Sequence, residues 1–417
     1  MPQLAASLEA EFFHHDPGEG VEVAVDRIAA RKTVAMYFRM LTGLADEPPE
    51  LTGVGSIVER TLAKGTANYD GRALADAFDA VGAQWGTASG RQSMLVRVVC
   101  LPEFVPRCVE LVAEMLCRPT FPSEACDVAV RLAQDELRQM EDDPHDLLRV
   151  DAQRLTLGPV LGRHVGGEAE TLARLTPEVI REHWRRNYHQ GRLQVAAAGP
   201  LDGERFSAQV REAFRELGTA ERSGRGDAEF EFRPGRNHRA KDLQQEYMCI
   251  TLPGASKRDR AAAVEQVLIG VLAGGMSGRL FTEVREKQGL VYWVGAWSEH
   301  PRGRGVVYLG ASTTPERCDR TFDTLIREIH RVVDDLTDEE TTRARESLLA
   351  HLQTESDITS ARAANLSDDL FHFSRPVGPA AKAEQIASVT TADVEAYAAG
   401  LPRETLCVAT VGPRELQ

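Results

Sequence analysis

The sequence predicts an α+β protein of two homologous domains, each a largely antiparallel sheet packed on helices. Three observations predict it. At 417 residues the chain exceeds one ordinary hydrophobic core and suits two domains of about 200 residues each. Its two halves echo each other, and repetition at a period of about 210 residues marks duplicated domains rather than a solenoid. Within each half, strand-like and helix-like stretches mix without a strict βαβ rhythm.

Taken in order, the first half opens with an apolar strand at Val21–Val25, followed by a helix, and carries a long charged helix over Ser123–Met140. It ends on LTPEVIREHWRRNYHQGRLQVAAAGP. There Thr176 is placed to cap a helix, Pro177 occupies its first turn, and an apolar strand follows that Gly199-Pro200 closes. Between residues 217 and 242 hydrophobic periodicity vanishes and Gly, Arg and acidic residues dominate, as in an exposed linker. The predicted domains are therefore 1–218 and 241–417, joined by a linker at 219–240. The second half opens with a strand at Glu246–Thr251, and Thr337 to Glu340 form a capping box before another charged helix. Its end repeats the first: a helix from Thr391, the strand Leu406–Val411, then Gly412-Pro413.

Hydrophobic residues at 42% and charged residues at 27% are ordinary for a soluble globular protein, and no apolar run approaches the ~18 residues of a membrane span. A formal charge of -14 opposes nucleic acid and acidic membrane surfaces as partners. The first twenty residues lack a basic segment followed by an uninterrupted apolar one, so no signal peptide is expected and the cytoplasm is the expected location. Cys100, Cys108, Cys117, Cys126, Cys249, Cys318 and Cys407 are scattered and never form a CxxC pair. That spacing argues against both a disulfide framework and a thiolate metal site.

The most informative stretch is GGMSGRLFTEVREKQGLVYWVGAWSE, Gly274 to Glu299. Gly274 and Gly275 break the preceding helix, Ser277 is placed to cap a new one running through Lys287, and Gly289 stops it before a strand at Leu290–Trp297. Arg285 then lies in the last helical turn and Tyr292 on the strand. Two readings follow. The two side chains are donors facing one groove, suited to a peptide carbonyl or a developing oxyanion, or they are an arginine salt bridge and a half-buried strand tyrosine.

This stretch resembles the second-half signature of the insulinase/pitrilysin-like peptidase family, in which a glycine-rich turn, SRLF, and an arginine seven residues before a tyrosine recur; here the turn reads SGRLF. The resemblance extends over nearly the whole chain. It implies that Arg285 and Tyr292 bind substrate, and that the two domains form half of a clamshell. It also implies a first-half HxxEH motif whose two histidines hold zinc. The matching segment, GVGSIVERTLAKGT, keeps Gly55 and Lys64-Gly65-Thr66 but has Ser56 and Arg60 at the histidine positions, with Glu59 at that of the general base. The third-ligand position, 76 residues after Arg60, is Glu136, followed by Asp142-Asp143-Pro144. A guanidinium has no lone pair to give a metal. The expectation is therefore that this chain binds no metal and has no catalytic residues in isolation.

The spacing of Ser56, Glu59 and Arg60 puts all three on one helical face, and the resemblance implies that Glu136 points at it. Arg60 is then expected to bridge Glu59 and Glu136 or to pair bidentately with one of them, replacing the charge of the lost dication. The alternative is Arg60 extended into solvent with both glutamates hydrated. His145, His164, His183 and His189 stand in no metal-binding frame. In the segment Gly82 to Val99, which resembles the family strand that receives extended substrate, Gly86-Thr87 stands where the family has asparagine-alanine. The resemblance implies a non-catalytic, substrate-binding subunit: a sister subunit carrying HxxEH supplies zinc, peptide is the substrate, and a homodimer is possible when the chain is alone. The alternative is a scaffold or peptide-binding protein of the same fold.

Overall fold

The computed structural model describes residues 10–16, 18, 20–219, 226–402 and 405–416. Residues 1–9, 17 and 19 of the region read for a leader and residues 220–225 of the linker lie outside them. The chain divides into two compact units, one drawn from 1–138, 164–226 and 353–380, the other from 139–163, 227–352 and 381–417.

The first unit holds a sheet in the order β1-β2-β6-β3-β5-β4. Its strands are β1 (Glu11–His15), β2 (Glu22–Arg27), β3 (Val34–Met40), β4 (Gln84–Ser89), β5 (Met94–Cys100) and β6 (Leu193–Gly199). The second unit orders its strands β7-β11-β8-β10-β9. These are β7 (Gly235–Ala240), β8 (Glu246–Gly254), β9 (Val291–Glu299), β10 (Gly305–Thr313) and β11 (Cys407–Gly412). Set β2 through β6 against β7 through β11 and the two orders are the same. Each sheet is antiparallel apart from one parallel pair, β2 with β6 and β7 with β11. The duplication read from the two chain ends is thus a duplication of sheet topology. Residues 235–240, placed in the linker from their polar composition, instead form β7, which is half exposed and held by its ladder to β11.

Each sheet is covered on one face by a layer of helices from the same stretch of sequence and on the other by a single long helix from elsewhere. In the first unit Val23, Met36, Phe38, Val96 and Val195 face the main core. The other face presents the small residues Ala24, Ala35, Ala196 and Ala198 to Ala363, Leu366 and Leu370 of the helix Thr359–Phe373. Alanines on the sheet let that helix approach closely, and polar clamps fix its register. Arg362 donates to both carboxylate oxygens of Asp26 at 2.6 and 2.9 Å, with both side chains buried. Arg39 donates to Ser367 at 3.0 Å and Asp368 at 2.7 Å. In the second unit the helix Pro144–Leu161, kinked at Gly158 (φ +73) before Pro159, takes the equivalent place over Cys249, Tyr308, Ala409 and Val411. There Arg239 binds Asp151 bidentately at 2.7 Å.

Removing one partner of a buried charge pair leaves the other uncompensated. Asp26→Ala is therefore expected to lower stability by about 3–5 kcal/mol in urea denaturation, far more than an exposed pair would cost. A loss below about 1 kcal/mol would show that Arg362 finds another partner or water.

Candidate functional site

The helix Val54–Thr61 starts at Gly53, whose φ of +99 suits glycine, and has no side-chain cap of its own residue. Buried Glu47 supplies the cap from outside, accepting from Gly53 N at 2.7 Å and Gly55 N at 2.9 Å. Its carboxylate thus satisfies two N–H groups that a helix start leaves unpaired, at the positive end of the helix dipole. A Cβ on Gly55 would stand 2.6 Å from Glu47 Oε1, so a side chain here would push the capping carboxylate aside.

One turn on, Ser56 is buried and Arg60 lies over it, with Nε 3.4 Å from Ser56 Oγ. The Arg60 guanidinium donates to both oxygens of Glu136, on the helix Ser123–Asp142, at 2.8 and 2.6 Å. The bridge expected from spacing is therefore present, in its bidentate form and to Glu136 alone. Glu59 turns to β4 instead, where the Thr87 hydroxyl donates to it. Thr87 stands on the edge strand of the sheet, so the departure from asparagine-alanine there gives Glu59 its partner.

The bridge holds the Glu136 carboxyl below its ordinary range, chiefly through the Arg60 hydrogen bonds, and raises Arg60 for the same reason. Its contribution is present above the normal carboxylate range and is lost as pH falls through the lowered value. Glu136 is about half exposed, so that contribution is small.

These residues do not fit a zinc ion. A catalytic zinc needs three protein ligands with lone pairs, whereas Arg60 has none and its guanidinium occupies both oxygens of Glu136. Among the described residues no group of three or more His, Cys, Asp or Glu side chains is placed to hold a metal. His183 is buried and pushed down to about 4 by that burial, so it is a neutral interior histidine.

In the second unit the Gly274–Glu299 stretch folds with one departure from expectation. Ser277 closes a short 3-10 turn, Gly275–Ser277, and does not cap the next helix, which runs over Leu280–Lys287 in the wide π form and begins at Arg279. Arg279 takes over the anchoring. It is buried and donates to Asp335 at 2.6 Å and to both oxygens of Glu340 at 2.8 Å. Gly289 ends the helix at φ +58, and β9 follows as an edge strand. Arg285 and Tyr292 are brought together: the guanidinium carbon lies 5.6 Å from the Tyr292 ring centroid and 5.0 Å from that of Phe281. Arg285 is thus held by aromatic faces and, among the described residues, by no carboxylate, and Tyr292 is 75% exposed rather than half-buried. The arrangement leaves one phenol hydroxyl and a fan of guanidinium N–H donors open to an incoming carbonyl oxygen.

Sequence reasoning did not single out Glu47, whose role depends on a loop folding back on a helix start. It also passed over Trp293 and Trp297, although a W-x-x-x-W spacing on a strand places both rings on one face.

Comparison with known proteins bears on the family and the fold. The family model described as "Insulinase (Peptidase family M16)" matches residues 22–160, and that described as "Peptidase M16 inactive domain" matches residues 174–348. An uncharacterized zinc protease of Streptomyces coelicolor is 28% identical over 95% of this chain and 88% of its own length. One of Bacillus subtilis is 24% identical over 82% of this chain and 84% of its own. The crystal structure of a peptidase M16 inactive domain from Pseudomonas fluorescens superposes with a TM-score of 0.87 at 19% identity, covering 98% of this chain and all of that one. A protease from Helicobacter pylori gives a TM-score of 0.87 at 12% identity, covering 97% of this chain and 100% of its own. With both family models matched in order along the chain and the duplicated fold shared with these structures, the protein belongs to the insulinase/pitrilysin-like peptidase family M16.

Proposed function

We propose that this chain is the non-catalytic, substrate-binding subunit of a heterodimeric zinc metallopeptidase. It contributes Arg285 and Tyr292, while a sister subunit with an intact HxxEH supplies zinc, water and the general base. The observation that carries this reading is an asymmetry between two sites. At one, the ligand positions have become Ser56 and an Arg60–Glu136 ion pair, with Glu59 engaged by Thr87. At the other, Arg285 and Tyr292 stand together and open to solvent. Drift after loss of all function would erode both. Relatives named as zinc proteases support a proteolytic setting. All seven cysteines are unpaired, which suits the reducing cytoplasm as the place of action.

The experiment is elemental analysis and peptide cleavage with the purified chain, alone and mixed with a sister subunit carrying HxxEH. Alone, it is expected to carry no stoichiometric zinc and to cut nothing; mixed, it is expected to form a dimer by light scattering and to cleave peptide. About one zinc per chain, lost on Glu136→Ala, would overturn the reading. So would a strictly monomeric particle in the presence of the sister chain.

A further inference from the structure

Successive side chains of β9 point to opposite faces of the sheet. Val294 and Ala296 pack on the main core of the second unit, and the register shift at Tyr292 interrupts the alternation only before Trp293. The other face carries Trp293, Gly295, Trp297 and Glu299. Across the ladder, Gly295 pairs with Gly310 and Trp297 with Tyr308. The two glycines leave the sheet bare between the tryptophans. A Cβ on Gly310 would come within 2.7 Å of the Trp293 ring and 3.2 Å of Trp297, so the Trp293 indole lies across that bare floor only because residue 310 is glycine.

The result is a cavity of about 130 Å³, lined by His145, Leu148, Arg149, Trp293, Trp297 and Glu299 among others. Trp297 stacks on Tyr308 with centroids 5.4 Å apart and planes at 4°, whereas Trp293 is tilted by 47° from Trp297 at 6.3 Å. The two indoles form a wedge. His145 closes one side, edge-on to Trp293 at 6.0 Å and to Tyr247 at 4.7 Å. Trp293 and Trp297 remain 39% and 36% exposed. Two large rings held half open by their neighbours, rather than folded into the core, form a recognition surface.

The wall is charged. Glu299 accepts from Gln153 Nε2 and from the Tyr308 hydroxyl, both at a long 3.3 Å. A carboxylate has about four acceptor sites, so half of its capacity remains. The Arg149 guanidinium, also in the lining, is paired with Asp146, to which it donates at 3.0 Å. Cys249, in the cavity wall, is a thiol pushed up to about 12 by burial, so it is an apolar surface and not a nucleophile.

We propose that this cavity is a binding site for a guanidinium group, the head of an arginine side chain on a peptide. The indole faces and the Glu299 carboxylate both attract a cation. A guanidinium is flat enough to slide between tilted rings, is weakly hydrated, and presents N–H donors to a carboxylate. The volume is well below the roughly 300–1,000 Å³ of a whole-ligand pocket, which suits one side-chain head. The site needs no sister subunit, so its test is separable from that of the proposed function.

The test uses the full-length chain alone, titrated with N-acetyl-arginine amide and with its neutral isostere N-acetyl-citrulline amide. Binding is read from the indole N–H resonances. Trp85 and Trp184, which lie in the other unit, serve as internal controls. The arginine amide is expected to bind at least about tenfold tighter than the citrulline amide, and to shift Trp293 and Trp297 only. Glu299→Gln is expected to erase that preference, and Trp293→Leu to weaken arginine binding about fivefold. Equal binding of the two amides, no binding of either, shifts at Trp85 or Trp184 instead, or a preference that survives Glu299→Gln would overturn the assignment. Near-UV dichroism of both variants reports whether the fold is intact, and Trp293→Leu, at a partly exposed position, gives a second reading should Glu299→Gln disturb it.

Discussion

Replacing Tyr292 with phenylalanine in the proposed heterodimer is expected to lower turnover by about 10²–10³-fold while leaving folding and assembly unchanged. The side chain is 75% exposed, so losing its hydroxyl removes no buried contact. Any effect on rate must therefore come from what the hydroxyl meets outside this chain. A donor that strengthens its hydrogen bond as a carbonyl oxygen becomes an oxyanion acts on kcat, whereas one that merely holds substrate acts on KM. The expected loss lies in kcat. Arg285→Ala is expected to act in the same direction and, because Arg285 packs against the Tyr292 ring, the two losses should not add. Unchanged turnover in both variants would reduce the pair to surface structure and favour the scaffold reading of this fold.

The features legible in the sequence were those with local causes. Thr176 caps its helix through Val179 N at 3.4 Å, and the Thr337–Glu340 box closes reciprocally at 3.1 and 3.2 Å, because caps are set by residues three apart. The Arg60–Glu136 pair was legible too, from helical spacing joined to a resemblance that placed Glu136 opposite. Long-range packing was not. The apolar residues of Thr359–Phe373 and Pro144–Leu161 mark helices with something to bury. Nothing in either segment says that the surface lies on a sheet distant in sequence, matched by the alanines of β2, β3 and β6 in one case and by Cys249 and Tyr308 in the other. The strand β7 was hidden because its residues, GRNHRA, are polar and only half covered; its ladder to β11, not its side chains, makes it a strand. The aromatic cavity needed the register of β9 against β10, which brings Gly295 opposite Gly310.

The second large effect concerns the positions that the family resemblance matches to zinc ligands. Ser56, Arg60 and Glu136 already converge: Arg60 touches Ser56 through Nε and Glu136 through both terminal nitrogens. Replacing Ser56 and Arg60 together with histidine places two imidazoles one helical turn apart, facing a carboxylate freed from its guanidinium. That gives three lone-pair ligands and room for water. The double variant is expected to go from no stoichiometric zinc to about one zinc per chain, removable by chelator and restored by added metal. Either single variant should fall well short. Ser56→His alone leaves Arg60 repelling the cation, and Arg60→His alone offers only one imidazole and Glu136. Ser56 is only 5% exposed, so an imidazole there carries an overpacking cost of about 1–3 kcal/mol, which the departure of the Arg60 side chain partly relieves. Adding Glu136→Gln to the double variant should release the metal again. A double variant that folds normally yet takes up no zinc would show that the Ser56, Arg60 and Glu136 side chains meet in a geometry a metal cannot use. In that case the ion pair would reflect a helix shift at the old ligand positions and not a simple exchange of a guanidinium for a dication.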